Sequence, residues 1–156
     1  MNLENISGIL IRLTVGGARY MEIRLTAQGE IERGGQGERG FEEHLGNRDL
    51  FDEVLGKVSP SLLRWADQSW SDPSLRGKAC DLRIAFRDAR GRESITRWEY
   101  GTDSSEPPEE IRGFVLAAVE ATNSWYRRQI ETRHQWRQRN PGAAWRLVPL
   151  LTEANS

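Results

Sequence analysis

The stretch from residue 108 to 139 restricts the fold more than any other. Ile111, Phe114, Val115, Ala118, Val119, Thr122 and Trp125 recur at helical spacing and make one broad apolar stripe. Pro107 and Pro108 are tolerated in a first turn, and Glu109 and Glu110 suit the positive end of a helix dipole. Pro141-Gly142 ends the helical signal. At about 100° per residue, Trp136 returns to the face of Ile111, Ala118 and Trp125. An unbroken helix over 108–139 is about 48 Å long, against a radius of gyration of roughly 15 Å for a chain of this size. Its last turns must run past the core, bend over it, or rest on another chain.

The remainder reads mostly as sheet. Ile9, Ile11, Leu13 and Val15 share one parity, and Gly16-Gly17 supplies a tight turn. Met21, Ile23 and Leu25 then alternate with Tyr20, Glu22, Arg24 and Thr26, and EIER at 30–33 suggests a short third strand. Such alternation indicates a sheet with one covered face and one wet face, hence antiparallel pairing. Residues 34–47 have many glycines and little periodicity and read as a loop. A helix follows from Asn47 or Asp49, with Leu50, Phe51, Val54, Leu55 and Val58 inward. A second helix is capped by Ser59 with Pro60 at its first position, and extends toward Trp70. Cys80, Leu82, Ile84 and Phe86 face one way in a later hairpin. In its return strand Ile95 opposes the parity of Trp98 and Tyr100, which a bulge would reconcile.

The order βββ-αα-ββ-α gives an α+β domain over residues 1–140. Its sheet is mainly antiparallel, with about five strands and helices on one face. Residues 141–156 form a C-terminal tail or an additional edge segment.

Composition excludes several functions. Net charge is -1, so no global field draws the chain to nucleic acid or to a membrane surface. One cysteine, Cys80, rules out an internal disulfide and fits a reducing, cytoplasmic setting. The start MNLENISG has no secretory signal pattern, and no segment is apolar enough to span a bilayer. GQGERG at 35–40 matches a dinucleotide-binding pattern but follows a polar segment and precedes two acids, so it reads as a loop. His44 and His134 are far apart in sequence and belong to no ligand motif, so no metal or other cofactor is expected. Catalytic residues are likewise not identified. A carboxylate cleft involving Asp67, Asp72 or His44 is the enzymatic or ligand-binding alternative.

What remains is binding. Residues 101–126 carry a balance of -4 and residues 127–146 a balance of +5. Dipole complementarity alone produces that arrangement. The tryptophans and excess length point further, to a non-enzymatic protein-interaction or self-association module. Its candidate surface is Trp125, Arg128, Arg133, Trp136 and Arg137. A second candidate lies on the wet sheet face, with Tyr20, Arg24, Arg83, Trp98 and Tyr100. The expected partner is another protein or a second copy; nucleic acid gripped by the arginine- and tryptophan-rich helix end is the alternative.

Overall fold

The computed structural model describes residues 2–35 and 38–141. Among these residues, seven strands form a single sheet in the order β4-β3-β2-β1-β6-β7-β5. They are β1 (Ile6–Val15), β2 (Ala18–Thr26), β3 (Glu30–Gly35), β4 (Glu38–His44), β5 (Ser69–Ser71), β6 (Ala79–Asp88) and β7 (Glu93–Gly101). All pairings are antiparallel except β5 with β7. Three helices, α1 (Asp49–Leu55), α2 (Pro60–Leu63) and α3 (Glu109–Arg139), complete a mixed α+β fold.

One parity of each long strand enters the core. Ile9, Ile11, Ile23, Leu25, Ile31, Leu82, Ile84 and Phe86 pack there with Phe51 and Val54 of α1 and Leu62 of α2. From α3 come Ile111, Phe114, Ala118 and Trp125. Burying side chains of this size stabilises by roughly 1.5–3 kcal/mol each, which fixes the register, since a one-residue slip would turn every one of them to water. The opposite parity bears charged groups on a face that the helices leave open.

The sheet has seven strands rather than five. β4 arises within the stretch 34–47 that reads as a loop, because only Phe41 marks its inward parity among polar neighbours. Of GQGERG, Gly35 closes β3 and pairs with Glu38, where β4 begins. Gly35 must be glycine: at φ 146° a Cβ there would lie 2.1 Å from the Tyr20 carbonyl oxygen. The second extra strand, β5, takes Trp70 away from the helix expected to hold it. Ser59 does cap α2, its Oγ accepting from the Leu62 N–H at 3.1 Å, but the helix stops after four residues. Asp67, at φ 60°, then turns the chain and accepts the Ile95 N–H at 3.2 Å. Trp70 thereby stacks on Trp98, ring centroids 4.5 Å apart, so aromatic packing overrides helix propensity.

The bulge also lies elsewhere. β6 and β7 pair without interruption from Ala79–Gly101 to Arg87–Glu93. Trp98 and Tyr100 are thus on the helix side, and Ile95, 43% exposed, is the residue out of pattern. Among the described residues the register instead shifts between Leu13 and Thr14, where β2 inserts Tyr20 as the extra residue, between Ile6 and Gly8 against β6, and between Arg33 and Gly35 against β4.

The path of α3 matters most. Phe114 meets Phe86 of β6, with ring centroids 5.8 Å apart. Further along, Arg33 of β3 reaches up to Thr122 Oγ1 at 3.0 Å and to Asn123 Oδ1 at 2.7 Å. Trp125 Nε1 donates to Glu43 of β4 at 2.5 Å. The helix therefore crosses the sheet from β6 toward β4, the terminal strand of the sheet among the described residues. Arg133 lies over the Phe41 ring at 4.0 Å. Beyond it α3 continues to Arg139, about 9 Å more at 1.5 Å per residue.

Candidate interaction surface at the end of α3

Edge strand β4 and the distal half of α3 form a corner. Glu43 and Phe41 project from β4 toward the helix, and the helix answers with Trp125, Tyr126, Gln129 and Arg133. Glu43 accepts from Trp125 Nε1 and, at 3.1 Å, from Gln129 Nε2. Phe41 meets Tyr126 edge-on at 5.7 Å and receives Arg133 on its face. A guanidinium over an aromatic ring contributes about 0.5–1 kcal/mol at a site of this exposure. Arg33 supports the corner from below, its guanidinium 4.4 Å from the Tyr126 ring centre. Burial lowers the pKa of Arg33.

The five predicted helix-end residues divide. Trp125 is 4% exposed and belongs to the core, so it anchors α3 on β4 and offers no surface. Arg133 is half-buried against Phe41, while Arg128 and Arg137 are exposed. Trp136 is half-buried yet lies outside the core cluster. Eleven residues after Trp125, it lies about 20° from it on an ideal helical wheel, on the stripe that faces the sheet earlier in α3. Ile130, 40% exposed, adds apolar surface to the same segment.

The open sheet face holds fewer of its expected members. Trp98 is buried between Trp65 and Trp70 on the other side. Tyr100 is half-buried on that same side, its hydroxyl pushed up to about 12 by burial and by neighbouring Cys80. Tyr20 lines a shallow hollow with Met21, Arg33, Val119 and Tyr126. Arg24 and Arg83 remain, in a network that neutralises itself. Glu22, 3% exposed, is reached by Arg12 at 2.9 Å, Arg19 at 3.2 Å and Arg24 at 3.6 Å. Asp81 takes Arg97 at 2.9 Å and Arg83 at 3.5 Å. Burial pushes the Asp81 carboxyl up, but the Arg97 and Arg83 guanidinium groups outweigh it and hold it below its usual value. Arg12, Arg83 and Arg97 sit directly across from one another on β1, β6 and β7, an arrangement that these acids make tolerable.

Catalytic candidates do not converge. His44 lies opposite Glu30 at the β4 edge, Asp67 holds a turn, and Asp72 accepts the Ser74 N–H at 2.8 Å. A hollow of about 400 Å³ at that edge is lined by Arg24, Glu30, Glu32, Glu42, Glu43 and His44, with Ile31 beneath. Among the described residues, no three His, Cys, Asp or Glu side chains are grouped to hold a metal ion. None of the described helices is long and apolar enough to cross a membrane.

Sequence reasoning missed Phe41 and Glu43, the β4 half of the corner. Phe41 was the one available signal, an isolated aromatic among polar residues. No family model, curated protein or solved structure matches this chain.

Proposed function

We propose that the protein is a non-enzymatic binding module whose working surface is the corner between β4 and the distal end of α3, and that it receives another polypeptide in extended form. One observation carries this reading: α3 crosses the helix-side face from β6 to β4 and runs on beyond Arg133 to Arg139, with Trp136 on the same helical stripe as the sheet-contacting Trp125. A strand added beside β4 would lie beneath that indole. Main-chain pairing would supply affinity, and alternate side chains meeting Trp136 would supply selectivity.

The geometry of β4 suits the role. Leu45 N–H donates to the Gly29 carbonyl at 2.7 Å, which makes Glu30 and His44 a pair that exchanges no main-chain bonds. The main-chain groups of Glu42 and His44 accordingly point away from β3. The edge is charged, as edges that avoid indiscriminate pairing are, so its partner must match those charges.

Selection from a random peptide display library tests the reading. Enriched peptides are expected to alternate apolar and polar residues, to lose binding to Trp136→Ala, and to keep it to Arg87→Glu on the open face. An absence of enriched peptides, or binding abolished only by the open-face change, contradicts it.

A further inference from the structure

We infer that the open face of the sheet holds a small-molecule site, a hollow over Gly8 that takes a free α-amino acid with an apolar side chain. The site shares no residue with the corner between β4 and α3 and is tested apart from it.

Gly8 is the starting point. β1 lies between β2 and β6, and Gly8 pairs with Thr26 on one side and Arg87 on the other. A glycine inside a strand forfeits stability, so its presence there calls for a reason. Conformation gives none, because Gly8 is not among the glycines at positive φ. Crowding gives none either. A Cβ would meet Arg87 Cβ at 3.5 Å and the Leu25 carbonyl oxygen at 3.9 Å, which are ordinary contact distances. What the missing side chain leaves is space. A hollow of about 290 Å³ opens there, with Leu10 and Ala85 as apolar floor. That is the lower end of the range for ligand pockets and fits a small molecule.

The charged rim selects the ligand. On the β6–β7 side Arg87 and Glu93 are joined to each other, through Arg87 Nε at 3.1 Å and a closer contact from its terminal nitrogen. On the β2–β3 side two opposite charges are open. Arg24 approaches Glu22 and Glu32 only at 3.6 and 3.8 Å, longer than a hydrogen bond. Glu30 accepts a 3.4 Å bond from the Thr26 hydroxyl and forms no ion pair among the described residues. Arg24 pairs with Glu32, two residues along β3 from Glu30, so the Cα atoms of Arg24 and Glu30 are about 8 Å apart. Both side chains can therefore reach one small ligand that carries both charges. Its carboxylate meets Arg24, its ammonium meets Glu30, and its side chain crosses Gly8 onto Leu10 and Ala85. The charges around the hollow cancel, Arg24 and Arg87 against Glu30 and Glu93, which matches a zwitterion of no net charge. A simple carboxylate would face Glu30 unmatched, and a simple amine would face Arg24.

Titration of the isotope-labelled full-length protein with L-leucine, followed by NMR, tests the site. Saturable amide shifts are expected at Gly8, Leu10, Thr26 and Ala85, and none at Glu43 or along α3. N-acetyl-leucine lacks the cation and leucinamide lacks the carboxylate. Each should bind about three- to fivefold more weakly than leucine, the contribution of one exposed ion pair. Arg24→Gln should weaken leucine to the level of leucinamide and leave leucinamide unchanged. Gly8→Ala should keep or raise the urea midpoint, and Gly8→Val should remove the leucine shifts. Shifts that never saturate, or equal binding of all three compounds, overturn the inference. So does a Gly8→Ala chain clearly less stable than wild type, because the fold itself then requires the glycine. If Gly8→Val does not fold, Arg24→Gln titrated with the three compounds still decides.

Discussion

Two tryptophans eleven residues apart on one helix should behave in opposite ways, and replacing each by alanine exposes the difference. Trp125 is 4% exposed, packs in the main core and bonds to Glu43. Removing a buried aromatic of this kind costs about 3–5 kcal/mol, from lost transfer energy and the cavity left behind. The bond to Glu43 adds little, because that carboxylate is exposed and regains water. Trp136 contributes to no described core cluster, so its loss should cost the isolated chain less than about 1 kcal/mol. Urea titration at low protein concentration isolates the chain itself, because any association otherwise adds to apparent stability. Trp125→Ala is expected to shift the midpoint strongly and Trp136→Ala hardly at all. Repeated with an excess of a strand selected by the corner, wild type should gain stability and Trp136→Ala should gain little. An equal loss for both variants at low concentration would make Trp136 a core residue of its own fold and refute the reasoning.

Other consequences are independent of assembly. Ser94 is buried, with no hydrogen-bond partner for its hydroxyl among the described residues, so Ser94→Ala is expected to be neutral or stabilising by up to about 1 kcal/mol in a melting experiment. Glu22→Gln leaves three guanidinium groups around a neutral amide and should destabilise by about 1–3 kcal/mol, measured by urea unfolding. Asp81 and Asp88 are both held below the ordinary carboxylate range. At Asp88 burial acts upward, but Arg92 and Arg90 N–H groups and the Arg92 guanidinium outweigh it. The stability these two carboxylates contribute is complete above the unfolded value of about 4 and is lost as pH falls through their folded values. Unfolding followed from pH 6 down to 2 should therefore show less acid sensitivity in Asp81→Asn than in wild type.

The strands with clean alternation were legible because their inward residues are large and apolar: Ile9, Ile11, Ile23, Leu25, Leu82, Ile84 and Phe86 all reach the core. The helical stripe Ile111–Trp125 was legible for the same reason, at a period near 3.6. β4 was not. Its inward side chains include Phe41 and Glu43, and a carboxylate that accepts an indole N–H looks the same in sequence as one in solvent. β5 escaped notice because its three residues are set by stacking of Trp70 on Trp98, a contact across 28 positions that no local pattern encodes. Ile95 misled the reading of β7, since one exposed apolar residue is ordinary on a protein surface but imitates a register shift. At the helix end, periodicity placed Trp125 and Trp136 on one face; only the position of the sheet edge separates the buried one from the other.

Hydrogen exchange at the amides of Glu42 and His44, whose main-chain groups point away from β3, tests the central claim most directly. If β4 is the docking edge, their exchange should slow progressively as a strand selected from a peptide library is added from about 1 to 200 μM, while amides of the remote β6–β7 turn such as Arg90 stay unchanged. The Trp136→Ala variant should need a higher concentration of that strand for the same protection. Exchange at Glu42 and His44 that is identical across that range of added strand would contradict the account.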